Sequence, residues 1–373
     1  MPCNKAISWY FSPKGIWALA EQPHFLRTYG DTDFITGLRA IAATMVVMIH
    51  TGMLAEFGTV GQAITYAGKY GVDIFFVISG FTIAKTFSEA KNYRSYLTRR
   101  IMRTVPLYWL MITIAMILWV SGMFSMPYWM QELGSQPDLY NYLMHLSMIS
   151  YLDYRVANSV LGVEWSIPIE VFWYICLPPL IYFGKTIPRA IIMILALLVL
   201  AALLSFVAKK ILGTSQPIKW SPIAYGHLFF IGVISYYLRE RFQSVTPRRP
   251  MIWIVGAVVL FALAMVLDFG GRSEVLALST AILIVFVTPA RASWVTTPLT
   301  ARPMLFLGSI SYSVYLIHAL VLHILGDASM LPVSGIGRFM VVYGITIVLS
   351  AGTYLLVEIP TNQAGRRMVE GAQ

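Results

Sequence analysis

Residues 34–50 read Phe34-Ile-Thr-Gly-Leu-Arg39-Ala-Ile-Ala-Ala-Thr-Met-Val-Val-Met-Ile-His50. Arg39 and His50 are the only ionisable residues in this largely apolar run, and ionisable side chains at the centre of a bilayer are costly enough to mark function. Their eleven-residue separation is about three helical turns. It puts both side chains on one face, roughly 16 Å apart along the axis and so about half a membrane.

The rest of the chain supports a lipid environment for this run. Of 373 residues, 58% are hydrophobic and 12% charged, with a mean hydropathy of +0.70, far from a soluble globular composition. Windows of about twenty apolar residues fall near 34–54, 70–87, 105–124, 163–183, 190–208, 218–238, 250–268, 275–290, 303–325 and 337–357. The expected fold is therefore all-α, a polytopic membrane helical bundle of about ten spans. Ala190–Ala208 has Ser205 as its only polar side chain and is expected to face lipid.

Basic residues orient the set, because cytoplasmic loops collect Lys and Arg. The connection after the second window holds Lys85, Lys91, Arg94, Arg99, Arg100 and Arg103, which makes it cytoplasmic and puts both termini on that side. This orientation places 19 of the 27 Lys and Arg residues inside. Lys209, Lys210 and Lys219 cluster against it. Residues 1–33 read as a cytoplasmic, interfacial segment, because Lys5, Lys14, Glu21 and Arg27 break every apolar stretch that a signal peptide would need. Residues 34–358 form the transmembrane domain, and 359–373 a cytoplasmic tail. The net charge of +10 then belongs to membrane topology, and no basic soluble region suggests nucleic acid. Cys3 and Cys176 lie on opposite sides of several spans, so no disulfide is expected. No metal-ligand spacing is present.

Orientation brings several polar residues to the outer half. His50 ends the first span, Asp73 begins the second in Gly71-Val-Asp73, and Glu164 and Glu170 enter the fourth in Glu164-Trp-Ser-Ile-Pro-Ile-Glu170. His318 closes Gly308-Ser-Ile-Ser-Tyr-Ser-Val-Tyr-Leu-Ile-His318 in the ninth. A histidine takes a proton from a hydroxyl near neutral pH, and a carboxylate fixes its tautomer, so His50 with Asp73, Glu164 or Glu170 is a candidate catalytic pair. The competing role for each is a polar helix–helix contact, weighed more heavily for His318 because serines and Tyr312 surround it. His227 and His323 read as packing residues. At the inner end, Arg100 and Arg103 share a helix face suited to phosphate oxygens, against the competing roles of topology signal and anionic-lipid contact. The connection 125–162, rich in Trp and Tyr, contains a candidate interfacial helix at Asp138–Leu152. No Walker loop, Gly-x-Ser-x-Gly elbow or HExxH motif occurs.

At these residues the chain resembles the membrane-bound acyltransferase family three, enzymes that acylate bacterial surface carbohydrates. The matching elements are Gly37-Leu-Arg39 with His50, Phe75-Phe-Val-Ile-Ser79-Gly80-Phe81, Arg100-Ile-Met-Arg103, Trp165-Ser-Ile-Pro-Ile-Glu170-Val-Phe-Trp-Tyr174, Ser311-Tyr-Ser-Val-Tyr-Leu-Ile-His318 and Glu358-Ile-Pro360. Family members often carry Asp where Thr36 stands here. The resemblance implies an O-acetyltransferase of the bacterial inner membrane, with no permanently bound cofactor. Its co-substrate is acyl-coenzyme A, usually acetyl-CoA, and its acceptor an extracytoplasmic carbohydrate such as exopolysaccharide or O-antigen. Arg39, Arg100 and Arg103 would hold the coenzyme and His50 would act as general base, while membrane lipid surrounds the bundle. The alternative from another class is a proton-coupled transporter or flippase, with His50, Asp73 and Glu170 as a relay.

Overall fold

The computed structural model describes residues 30–124, 127–183, 186–244, 249–288, 290–327, 330–332 and 334–370. The expected segment 1–33 thus lies almost wholly outside the described residues. The helices of eight residues or more are α1 (Asp33–Thr51), α2 (Gly58–Ala67), α3 (Gly71–Ser88), α4 (Tyr93–Val120), α5 (Leu139–Leu146), α6 (Ser166–Phe183), α7 (Ile187–Leu212), α8 (Pro222–Ser244), α9 (Pro250–Val266), α10 (Arg272–Phe286), α11 (Arg302–Ser309), α12 (Ser311–Asp327), α13 (Gly335–Thr353) and α14 (Ile359–Glu370). No strand occurs among the described residues. Each of the ten apolar windows falls on helix. Among the described residues, six helical segments are long and apolar enough to cross a membrane alone, or up to seven if the bent pair α11–α12 counts as one. The protein is a multi-pass membrane helical bundle.

Helix α1 sits centrally, touching α2, α3, α11, α12 and α13. It stops at Gly52, whose left-handed φ of 68° lets the Gly52 and Met53 amides return to the Ile49 and Met48 carbonyls. Small residues bring its neighbours close. A Cβ at Gly308 would stand 1.9 Å from the Thr36 carbonyl, and one at Gly80 of α3 only 2.0 Å from the Phe229 carbonyl of α8. Such backbone approach is how helices associate where lipid removes the hydrophobic drive. Helix α7 has only Ala190 and Ala208 buried, as its aliphatic composition requires.

The structure alters three expectations. Helix α4 begins twelve residues before its apolar window: the Asn92 side chain accepts from the Ser95 amide at 2.8 Å and Ser95 caps in return. Arg94, Arg99, Arg100 and Arg103 therefore lie on a helix rather than in a loop, and Arg100 is buried. The expected helix at 138–152 is shorter, Leu139–Leu146, capped by Asp138 and followed by a 3-10 turn at Ser150–Leu152. Residues 359–370, set apart as a tail by their charge, continue the last span through a π turn, Tyr354–Glu358.

Two arginines counted only as loop charges staple helix ends. Buried Arg272 donates to the Ala264, Met265 and Ala63 carbonyls and pairs with Asp268 at 3.3 Å. Arg239, also buried, donates to the Ile284, Val287 and Asp31 carbonyls. Most of these carbonyls belong to helix C-termini, which lack partners of their own.

Candidate active site

Helix α1 presents Arg39 and His50 at its two ends, and the residues around each differ in kind. At the histidine end, His318 of α12 brings Nε2 to 3.0 Å from His50 Nδ1. His50 Nδ1 also lies 2.9 Å from the Val46 carbonyl, and His318 Nδ1 lies 3.1 Å from the Val314 carbonyl. Carbonyl oxygens only accept, so in neutral rings both Nδ1 atoms carry the proton and His318 Nε2 accepts from His50. This leaves the Nε2 lone pair of His50 unengaged. His318 is fully buried, whereas His50 is exposed, so the free nitrogen belongs to the ring a substrate can reach.

The carboxylates considered for His50 are engaged elsewhere. Asp73 accepts from Ser273 at 2.6 Å. Buried Glu164 gathers the amides of Val160, Leu161 and Val163 at 2.6–3.1 Å, shaping the turn that feeds α6. Glu170 accepts a short hydrogen bond from Ser79. None of the three bonds to His50 among the described residues. His227 is buried with neither ring nitrogen hydrogen-bonded, and His323 packs its ring on Trp119 and Phe124.

At the arginine end two cavities meet. The first is lined by Arg39, Arg100, Arg103 and Glu170 among aromatic side chains that include Phe75, Tyr174, Tyr312 and Tyr315. Arg100 donates to the Thr82 carbonyl and to Thr86 Oγ1, each at 2.7 Å, beneath the Tyr174 ring. Arg39 makes no hydrogen bond or salt bridge to any described residue. A second cavity shares Arg39 and Arg103 as a wall.

The first cavity reaches Tyr315, a neighbour of His318, and neither His50 nor His318 lines it. Tyr315 lines it, donates to the Val163 carbonyl and accepts from Ser166 Oγ at 2.7 Å, which ties α12 to the start of α6. The Tyr315 ring centroid is 6.2 Å from that of His318. Sequence reasoning quoted Tyr315, Tyr174 and Ser79 within motifs without giving them a place. Their signal was only that polar groups recur inside apolar windows. Buried His145, bonded to the Tyr108 hydroxyl at 2.8 Å and the Val156 carbonyl at 3.0 Å, is a packing histidine beside the connection.

This geometry sets a histidine pair at one end of α1, and at the other a cavity lined by three arginines and several aromatic side chains. The sequence profile described as an acyltransferase domain (acyltransferase type 3) matches residues 32–355. The chain is 23% identical over 365 residues to the peptidoglycan O-acetyltransferase OatA of Listeria monocytogenes, covering 89% of this chain and 56% of that protein. It is 28% identical over 200 residues to the putative peptidoglycan O-acetyltransferase YrhL of Bacillus subtilis, covering 48% and 28%. It is also 24% identical over 315 residues to nodulation protein 10 of Rhizobium leguminosarum, covering 78% and 81%. The chain spans about half the length, or less, of the first two. No solved structure matches it.

Proposed function

We propose, since the chain belongs to the acyltransferase domain family, that it is an integral membrane O-acyltransferase. It moves an acyl group, most simply acetyl, from acyl-coenzyme A to a hydroxyl of a carbohydrate across the bacterial cytoplasmic membrane. Two relatives, the peptidoglycan O-acetyltransferase OatA and the putative peptidoglycan O-acetyltransferase YrhL, support this reaction class. The arginine end takes the cytoplasmic side, in keeping with the Lys and Arg count, and the His50 end faces the acceptor.

The observation that carries the reading is the His50–His318 contact. With Nδ1–H committed to Val46 and His318, His50 Nε2 accepts the proton of the acceptor hydroxyl as that oxygen bonds to the thioester carbonyl carbon. The tetrahedral intermediate then breaks its C–S bond. The thiolate takes the proton back from the imidazolium, leaving an O-ester and free coenzyme thiol. His318 steadies the transient positive charge by accepting from His50, the part a carboxylate plays elsewhere. Arg39, Arg100 and Arg103 hold the donor at the other end, and the aromatic cavity shields the thioester from water.

The test compares O-acyl signals, by NMR of the cell-surface polysaccharide, in a deletion strain complemented with wild type or His50→Ala. Loss of the signals with a correctly inserted variant is expected. Full acylation by that variant overturns the assignment.

A further inference from the structure

Asn362, Gln363 and Arg366 follow the last apolar window, where composition marks them as an ordinary polar end. The fold gives them a different position. The π turn at Tyr354–Glu358 carries the helix on through Pro360, and π-type turns inside helices recur at functional sites. Helix α14 then lies against α4 so closely that a Cβ at Gly365 would stand 2.8 Å from Met102 Cβ. This docking brings Asn362, Gln363 and Arg366 around a cavity whose other walls include Arg39, Arg103 and Glu358.

The two cavities that share Arg39 and Arg103 differ in chemistry. The first adds Arg100 and Glu170 to a wall that is otherwise largely aromatic and aliphatic, whereas the second adds Arg366, Glu358 and the side-chain amides of Asn362 and Gln363. Arg39, Arg103 and Arg366 against Glu358 leave the second with a formal charge of +2. Part of that charge is uncommitted, since neither Arg39 nor Arg366 makes a hydrogen bond or salt bridge to a described residue. Glu358 is buried and engaged by Ser313, which also accepts from Thr353. A polar, cationic chamber joined to an aromatic one fits a ligand with a multiply anionic end and a longer, less polar arm.

We propose that the second cavity seats the phosphate-bearing nucleotide end of the acyl-coenzyme A donor, with Asn362, Gln363 and Arg366 of α14 as its wall. Arg39 marks the passage to the aromatic cavity, which takes the pantetheine arm. This rests on the coenzyme reading above and adds a part of the chain which that reading leaves unused. The amides of Asn362 and Gln363 supply neutral donors, and Arg366 a guanidinium able to grip two phosphate oxygens at once.

The test uses the purified full chain in detergent, with coenzyme A and pantetheine as probes. Pantetheine shares the arm and lacks every phosphate. Arg366→Ala is expected to weaken coenzyme A binding about tenfold, the effect of one lost charge-assisted contact, and to change pantetheine binding less than twofold. Arg366→Lys should fall between wild type and Arg366→Ala. Asn362→Asp, nearly isosteric, sets a carboxylate in the chamber and should also weaken coenzyme A selectively. Wild-type affinity for coenzyme A in both Arg366→Ala and Asn362→Asp overturns the proposal, as does an equal loss of coenzyme A and pantetheine binding. Failure of the wild-type protein to bind coenzyme A overturns the donor reading itself.

Discussion

His318 Nε2 lies 3.0 Å from His50 Nδ1, although 268 residues separate the two in sequence. The buried ring acts on the exposed one. It accepts a hydrogen bond from His50 Nδ1, which fixes the His50 tautomer and leaves Nε2 with its lone pair open.

Replacing His318 should therefore slow the reaction without disturbing the donor site. His318→Phe keeps a ring but removes the acceptor, and its turnover is expected to fall about 10²-fold, within the usual range for acid–base assistance. KM for the donor should stay near wild type. His318→Gln, which retains an acceptor oxygen, should recover part of the rate. Steady-state kinetics with a soluble carbohydrate acceptor separates these terms, and a rise in donor KM with unchanged turnover would contradict the assignment.

Arg39 and Arg100 should behave oppositely when truncated. Arg100 donates to the Thr82 carbonyl and Thr86 hydroxyl, so Arg100→Ala removes charge-assisted hydrogen bonds between α3 and α4 at a cost of about 1.5–3 kcal/mol. Arg39 has no such internal bond, so Arg39→Ala should unfold in detergent near the wild-type temperature while binding coenzyme A about tenfold more weakly. Thermal unfolding and affinity measured on both variants check the contrast.

Glu164 is expected to matter for folding more than for chemistry. It serves three backbone amides at the turn into α6. Glu164→Ala strands them, at about 1–3 kcal/mol for each buried group left unsatisfied, and should sharply lower the yield of folded protein. Glu164→Gln retains one acceptor oxygen and should lose less. Size-exclusion recovery and unfolding temperature measure the difference.

Gly80→Val should prevent α3 and α8 from closing, because even a Cβ there would stand 2.0 Å from the Phe229 carbonyl. Overpacking of about 1–3 kcal/mol or more is expected, visible as a lowered unfolding temperature. A milder loss should follow Gly80→Ala.

Outside the spans, the Arg155 guanidinium bonded to Asp153 holds its carboxyl below the ordinary carboxylate range. A carboxyl depressed in the folded state contributes stability above its unfolded pKa and loses it as pH falls. Below about pH 4 the connection around Val156 and Ala157, whose amides bond to the Asp153 carbonyl, should exchange hydrogen faster than the helices. The pair is partly exposed, with Arg155 at 58%, so the effect should stay local and small.

Helical class and the positions of the helices were legible because lipid demands long apolar runs, and all ten windows carry helix. The separation of Arg39 and His50 on one face was legible for the same reason, since helical geometry is local. The partner of His50 was not. Asp73, Glu164 and Glu170 share its expected depth, but depth along the membrane says nothing about lateral neighbours, and each carboxylate is engaged by a different group. Arg272, which falls between two apolar windows, is a buried staple of helix ends.

The sequence by itself determined that this chain is a membrane helical bundle and that Arg39 and His50 stand at opposite ends of one helix, because periodicity and hydropathy act within single segments. Only tertiary structure decided that His318 reaches His50, that Glu164 is spent on a turn, and that α14 closes a cationic chamber beside Arg39. Those outcomes depend on which helices approach at Gly80, Gly308 and Gly365, and on competition among distant groups for the same hydrogen bonds.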